Sequence, residues 1–175
     1  MPVTWTPPTN GTIEAEVVVA PMDTPAHFEA YRGQLRGKIV LVSLPGNGDE
    51  PTTPAFRRLD AAQIAERDLF PMPDNDPHDT AQAVERAEFE MRRDAFLASE
   101  GALAWARISA RDGKLLHGNG YTYESGNSPV LPGFEIAAED YRRLARLARS
   151  GPAPRLSLTS EVRFVDDDPM AYNII

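Results

Sequence analysis

The stretch Gly37–Glu50, GKIVLVSLPGNGDE, decides the fold. Ile39 to Val42 is a run of apolar residues bounded by Gly37 and Pro45, and its length and valine content make it a strand buried on both faces. Such a strand lies inside a sheet, not at its rim. A strand that meets glycines is also where many nucleotide-binding proteins hold a phosphate, so the loop must be tested position by position. A Walker loop needs Lys and Ser or Thr directly after its second glycine, but here Lys38 precedes the strand and no base follows Gly48. A dinucleotide fingerprint needs a third glycine opening a helix, whereas Gly46 and Gly48 are followed by Asp49, Glu50 and Pro51. Two carboxylates would stand where the phosphate belongs. The loop reads as a turn that ends a strand.

Working outward, Thr12 to Ala20 (TIEAEVVVA) alternates at first, with Ile13, Ala15 and Val17 on one face, and then turns continuously apolar, as a strand entering a core does. Thr24-Pro25 opens a short helical turn carrying Phe28 and Tyr31, which Gly33 ends. Thr53-Pro54 caps an expected helix from about Ala55 to Arg67, with Phe56, Leu59 and Ala62 or Gln63 on one side. Phe70 to Asp79 (FPMPDNDPHD) holds three prolines and must be loop. A long helix follows over Thr80–Glu100, with Asp79 and Gln82 approximating a capping box, Val84, Ala87, Met91, Ala95 and Ala98 as its apolar stripe, and Gly101 as its left-handed stop.

Ala102 to Ile108 (ALAWARI) is the next strand, Arg111 to Lys114 a turn of hairpin type, and Gly118 to Ser128 a loop rich in glycine and tyrosine. Short strand pieces at Val130-Leu131 and Phe134 to Ile136 precede a helix over Ala138–Ser150, with Tyr141, Leu144, Ala145 and Ala148 inward, arginines toward its C-terminal part and Gly151 as cap. Arg155 to Val165 alternates throughout, with Leu156, Leu158, Val162 and Phe164 facing in, which marks an antiparallel or edge strand. The fold class is therefore α/β of the α+β kind: a mixed central sheet or open barrel flanked by two main helices, with an inserted helix and loop over about 46–79.

A chain of 175 residues is enough for one domain that folds without disulfides or metals. Its net charge of −8, with dispersed bases, argues against nucleic acid or a membrane surface as partner, since both draw affinity from clustered Lys and Arg. Cysteine is absent, which removes thiolate nucleophiles and Cys-ligated zinc. No basic-then-apolar leader opens the chain and no run is long enough to span a bilayer.

No catalytic constellation is complete. His27, His78 and His117 match no zinc-binding spacing. The acidic loop Asp74 to Asp79 lacks the glycine and glutamate of a calcium loop, so it reads as a solvated helix cap. Ser125 to Ser128 is no nucleophile elbow, and Trp105 reads as core. The expected catalytic, metal and cofactor residues of this chain are none.

The order and spacing of Gly37-Lys38-Ile39-Val40-Leu41-Val42, the helix ending Ala98-Ser99-Glu100-Gly101-Ala102, the strand from Leu103, Ser128-Pro129-Val130-Leu131-Pro132-Gly133-Phe134-Glu135-Ile136 and the closing helix and strand resemble the protease-associated domain, a swivelling β/β/α fold. Tyr172-Asn173-Ile174-Ile175 resembles the entry strand of the bacterial di-zinc aminopeptidase and glutamate-carboxypeptidase-like metallopeptidases into which such domains are inserted. The resemblance implies a protease-associated domain over 1–171 and the start of a following peptidase domain at 172–175. It departs from the family after the first strand, where an Arg-Gly-x-Cys-x-Phe segment is replaced by the 46–79 insertion. It further implies a non-catalytic role in an exported zinc exopeptidase, with two zinc ions in the following domain and none in this one. The partners implied are that peptidase domain and a peptide or protein substrate, met through the Gly118–Ser128 loop by Tyr121, Tyr123 and Asn127. A free-standing peptide-binding module, or the protease-associated domain of a subtilisin-like serine protease, stays open beside it.

Overall fold

The computed structural model describes residues 1–48, 58–68, 77–116, 118, 120 and 129–164, with backbone alone at 67–68 and 77–79. Its elements in chain order are β1 (Ile13–Val19), α1 (Ala26–Tyr31), β2 (Ile39–Leu41), α2 (Ala61–Asp68), α3 (Pro77–Ser99), β3 (Ala104–Ile108), β4 (Gly133–Ile136), α4 (Ala138–Ser150) and β5 (Arg155–Leu158). The strands form one sheet in the order β4-β3-β2-β1-β5. β1 to β4 run parallel to their neighbours, and β5 is antiparallel to β1, with Ile13 opposite Leu158. The sheet is mixed, with the alternating Arg155–Leu158 strand at its antiparallel edge and the continuously apolar β2 inside, and it curls into half a barrel.

β2 lies between β1 and β3, and Ile39, Val40 and Leu41 are all fully buried. Because side chains alternate across a strand, the sheet divides the core in two. On one face Val40, Val42 and Trp105 pack with Met22, Leu35, Phe96 and Leu97; on the other Ile39, Leu41, Ala104, Ala106 and Phe134 pack with Tyr141 and Ala145. α1 and α3 cover the first face and α4 the second. The Trp105 indole lies so close over β4 that a Cβ on Gly133 would come within 2.3 Å of its ring, so only glycine fits there.

β5 is one rim of the sheet, and the N-terminal segment pairs with the other, β4: Val3 N–H donates to Gly133 O at 2.8 Å and Glu135 N–H to Met1 O at 2.8 Å. Unpaired strand edges invite association with other chains, and this pairing covers the β4 edge.

Several expectations need correction. α2 starts at Ala61, not near Ala55, because Asp60 is its cap: Gln63 N–H donates to Asp60 Oδ1 at 2.9 Å while Asp60 N–H donates to Gln63 Oε1 at 3.2 Å. Leu59 lies outside the helix and is exposed; Phe56 falls outside the described residues. In α3 Phe96 and Leu97 are buried and Phe89 and Arg93 half-buried; of the expected stripe Ala87, Met91 and Ala98 are half-buried, whereas Val84 and Ala95 are exposed. The rings decide it, since Phe28 of α1 stacks on Phe96 at 4.8 Å and on Phe89 at 5.6 Å, and aromatic burial outweighs an alanine stripe. Arg111 to Lys114 is a turn but not a hairpin, because β3 and β4 are parallel. The last strand stops at Leu158, where Ser160 turns to exchange hydrogen bonds with Thr9, and this leaves Phe164 exposed.

Candidate functional site

Parallel sheets gather ligands outside the carboxyl ends of their strands, so those ends come first. After β2, Ser43 meets Tyr141 of α4: the Tyr141 hydroxyl donates to Ser43 O at 2.9 Å and accepts from Ser43 N–H at 2.8 Å. Ser43 Oγ in turn accepts from Ile108 N–H of β3 at 3.3 Å. Burial pushes the Tyr141 phenol far above its ordinary value. Arg142 donates from Nε to Pro45 O at 3.0 Å and from Nη1 to Asp112 at 2.5 Å, with its guanidinium over Gly48. Glu139 accepts from Gly113 N–H at 2.5 Å and from Lys114 N–H at 3.2 Å. Hydrogen bonds from its own amide and from Gly113 hold its carboxyl below the usual range. Each of these groups is engaged by its neighbours, so the cluster clamps the ends of β2 and β3 to α4. It holds no nucleophile paired with a base.

Asp94, buried at 4% exposure, sits on the other side of the sheet. Its Oδ2 accepts from Val130 N–H at 2.7 Å, and the Leu131 amide and Trp105 indole lie within hydrogen-bonding reach. Its Oδ1 has no hydrogen-bond partner among the described residues. Burial pushes this carboxyl up, and the amides pull it down by less. Asp94 pins the chain where it returns from residues 121–128 to β4.

A groove of about 410 Å³ opens between Pro2–Thr6 and Val162–Phe164. Val3 to Thr6 forms a tight turn, in which Thr6 N–H at 3.3 Å and Thr6 Oγ at 2.7 Å both donate to Val3 O. Trp5 is the third residue of that turn with φ of 68°, the position where glycine is favoured. An aromatic residue held there carries roughly 1–3 kcal/mol of strain. The result is an indole that is 46% exposed, with the Phe164 ring 6.2 Å away and tilted by 32°. Gly120 passes so near that a Cβ would stand 3.0 Å from the indole Cδ1, so the backbone itself walls one side. Arg163 lines the same groove.

The expected contact residues Tyr121, Tyr123 and Asn127 lie outside the described residues, as do Asp74 to Asp76, His117 and the side chain of His78. His27 accepts from Asp23 N–H at 3.1 Å, a local turn contact. Trp105 is core, as its setting in ALAWARI implies. No group of three His, Asp or Glu able to hold a metal occurs among the described residues. Nor, among them, is any helix long and apolar enough to cross a membrane. The groove was missed in the sequence because its two sides are at opposite ends of the chain; the only local sign is an aromatic residue, Trp5, in a proline-flanked segment.

Neither protein-family models nor curated proteins nor solved structures give a match to this chain. The fold and the site define a class no narrower than a mixed α/β domain with an aromatic groove where its first and last described segments meet.

Proposed function

We propose that the chain is a non-catalytic protease-associated domain of an exported zinc-dependent exopeptidase, covering the active-site cleft of a following peptidase domain and shaping access of peptide or protein substrates. The observation that supports this reading is where its sequence motifs fall. GKIVLV supplies β2, ALAWARI supplies β3 and SPVLPGFEI supplies β4, three neighbours in one sheet, with the long helix on one face and the closing helix on the other. A resemblance scattered over unrelated loops would carry no such agreement. The zinc ions and the catalytic groups belong, in this reading, to the domain entered at Tyr172. The 118–128 loop that carries Tyr121, Tyr123 and Asn127 is the proposed contact with substrate.

The test is the gene itself together with the purified chain. The codons after Ile175 are expected to encode a zinc-ligand His followed shortly by an Asp, and the 175-residue chain is expected to show no peptidase activity with added zinc. A serine-nucleophile pattern downstream would move the domain to a subtilisin-like protease, a stop codon would leave a free-standing binding module, and zinc-dependent hydrolysis by the chain alone would refute the non-catalytic role.

A further inference from the structure

The groove between Pro2–Thr6 and Val162–Phe164 has the size of a small-molecule site, and its walls specify a ligand. Two partly exposed rings, Trp5 and Phe164, tilted toward one another, offer an apolar surface that an aromatic ring can meet by stacking or by edge contact. Arg163 supplies the only charged side chain among the described lining residues, and it enters none of the ion pairs found among the described residues. A cation set beside two rings favours an anionic group, and a guanidinium fits a carboxylate with two parallel hydrogen bonds.

The described lining also bears on other ligands. A sugar stacked on the rings would need side-chain carboxylates or amides to accept its hydroxyls; among the described lining residues there are none, and the Thr6 hydroxyl is spent on Val3 O. A nucleotide would bring several phosphate charges to one arginine. The rings are held for use, too. Two hydrogen bonds fix the Val3–Thr6 turn and Gly120 blocks retreat of the indole, so the strained Trp5 stays presented.

We propose that this groove binds the C-terminal aromatic residue of a peptide, its ring against Trp5 and Phe164 and its α-carboxylate on Arg163. The site goes beyond the peptidase reading and stands without it. Trp105 is 1% exposed, so Trp5 carries the ligand-sensitive emission of the chain's two tryptophans. The intact chain is titrated with N-acetyl-L-phenylalanine, for which a saturable emission change with a Kd on the order of 1 mM is expected from the ligand's size. Affinity should fall by about tenfold for N-acetyl-L-phenylalaninamide and for Arg163→Met, and saturation at accessible concentrations should be lost for Phe164→Ala. Trp5→Gly, which relieves the turn while removing the ring, should abolish saturation transfer to the ligand's ring protons in ligand-observed NMR. The proposal is overturned by an absence of saturable binding, by equal binding of acid and amide, by undiminished transfer in Trp5→Gly, or by N-acetylglucosamine binding more tightly than the amino acid.

Discussion

The sheet with α4 and the C-terminal half of α3, and the segment formed by α2 and the N-terminal half of α3, are built from similarly helical or apolar sequence but end in opposite states. Ile39, Val40 and Leu41 are 0% exposed, while Ile64 of α2 is 51% and Val84 of α3 52% exposed. Both regions have regular secondary structure, and both carry apolar residues at the expected period. The difference is that the first has a partner on each face and the second, among the described residues, packs on nothing large. Most helix stability in proteins comes from tertiary packing, so regularity alone predicts neither burial nor contribution to stability.

The contrast can be broken most directly at Trp105. Trp105→Ala removes the side chain that bridges β3, Gly133 and the Phe96–Leu97 face, and is expected to cost about 3–5 kcal/mol, read as a lower denaturation midpoint at unchanged slope. Ile64→Ala and Val84→Ala should each move stability by less than about 0.5 kcal/mol. Comparable losses at the exposed sites would mean that α2 and early α3 belong to the same cooperative unit as the sheet.

A smaller effect sharpens the comparison at the clamp. Tyr141→Phe keeps the ring between the sheet and α4 but leaves Ser43 N–H and Ser43 O without their partner. Leaving buried polar groups unpaired costs about 1–3 kcal/mol, and the loss should appear as faster amide exchange at Ser43 in native-state hydrogen exchange. If exchange and midpoint are both unchanged, water replaces the hydroxyl and the clamp is not closed.

How much was legible in the sequence follows the same division. β1, β2 and β5 were readable because a continuous apolar run or a strict alternation leaves only one way to face a core, and edge against interior follows from which of the two is present. The stripe of α3 was not, because two apolar series at helical spacing compete on it, one through Val84 and Ala95 and one through Phe89 and Phe96. Stacking with Phe28, far away in the chain, chose between them. The start of α2 was written locally in Asp60 and Gln63, yet Thr53-Pro54 offered a second cap, and only the reciprocal hydrogen bonds separate the two. The groove had no local signature, since Trp5 and Phe164 meet only after both ends of the chain have been laid against the sheet.

The smallest expected effect tests whether α2 stands apart. Asp60→Ala removes the capping box, which in an isolated helix is worth about 0.5–2 kcal/mol, more than a helix of 8 residues can hold in water unaided. If α2 contributes little to the core, the global midpoint should stay within about 0.5 kcal/mol of the parent, while amide protection falls across Ala61 to Glu66 alone. Local loss without global loss identifies a low-stability unit attached to a stable sheet, the kind of segment that moves independently of its scaffold. A global loss as large as that of Tyr141→Phe would instead place α2 in the folded core's cooperative unit, and the contrast between the two regions would then be one of exposure but not of stability.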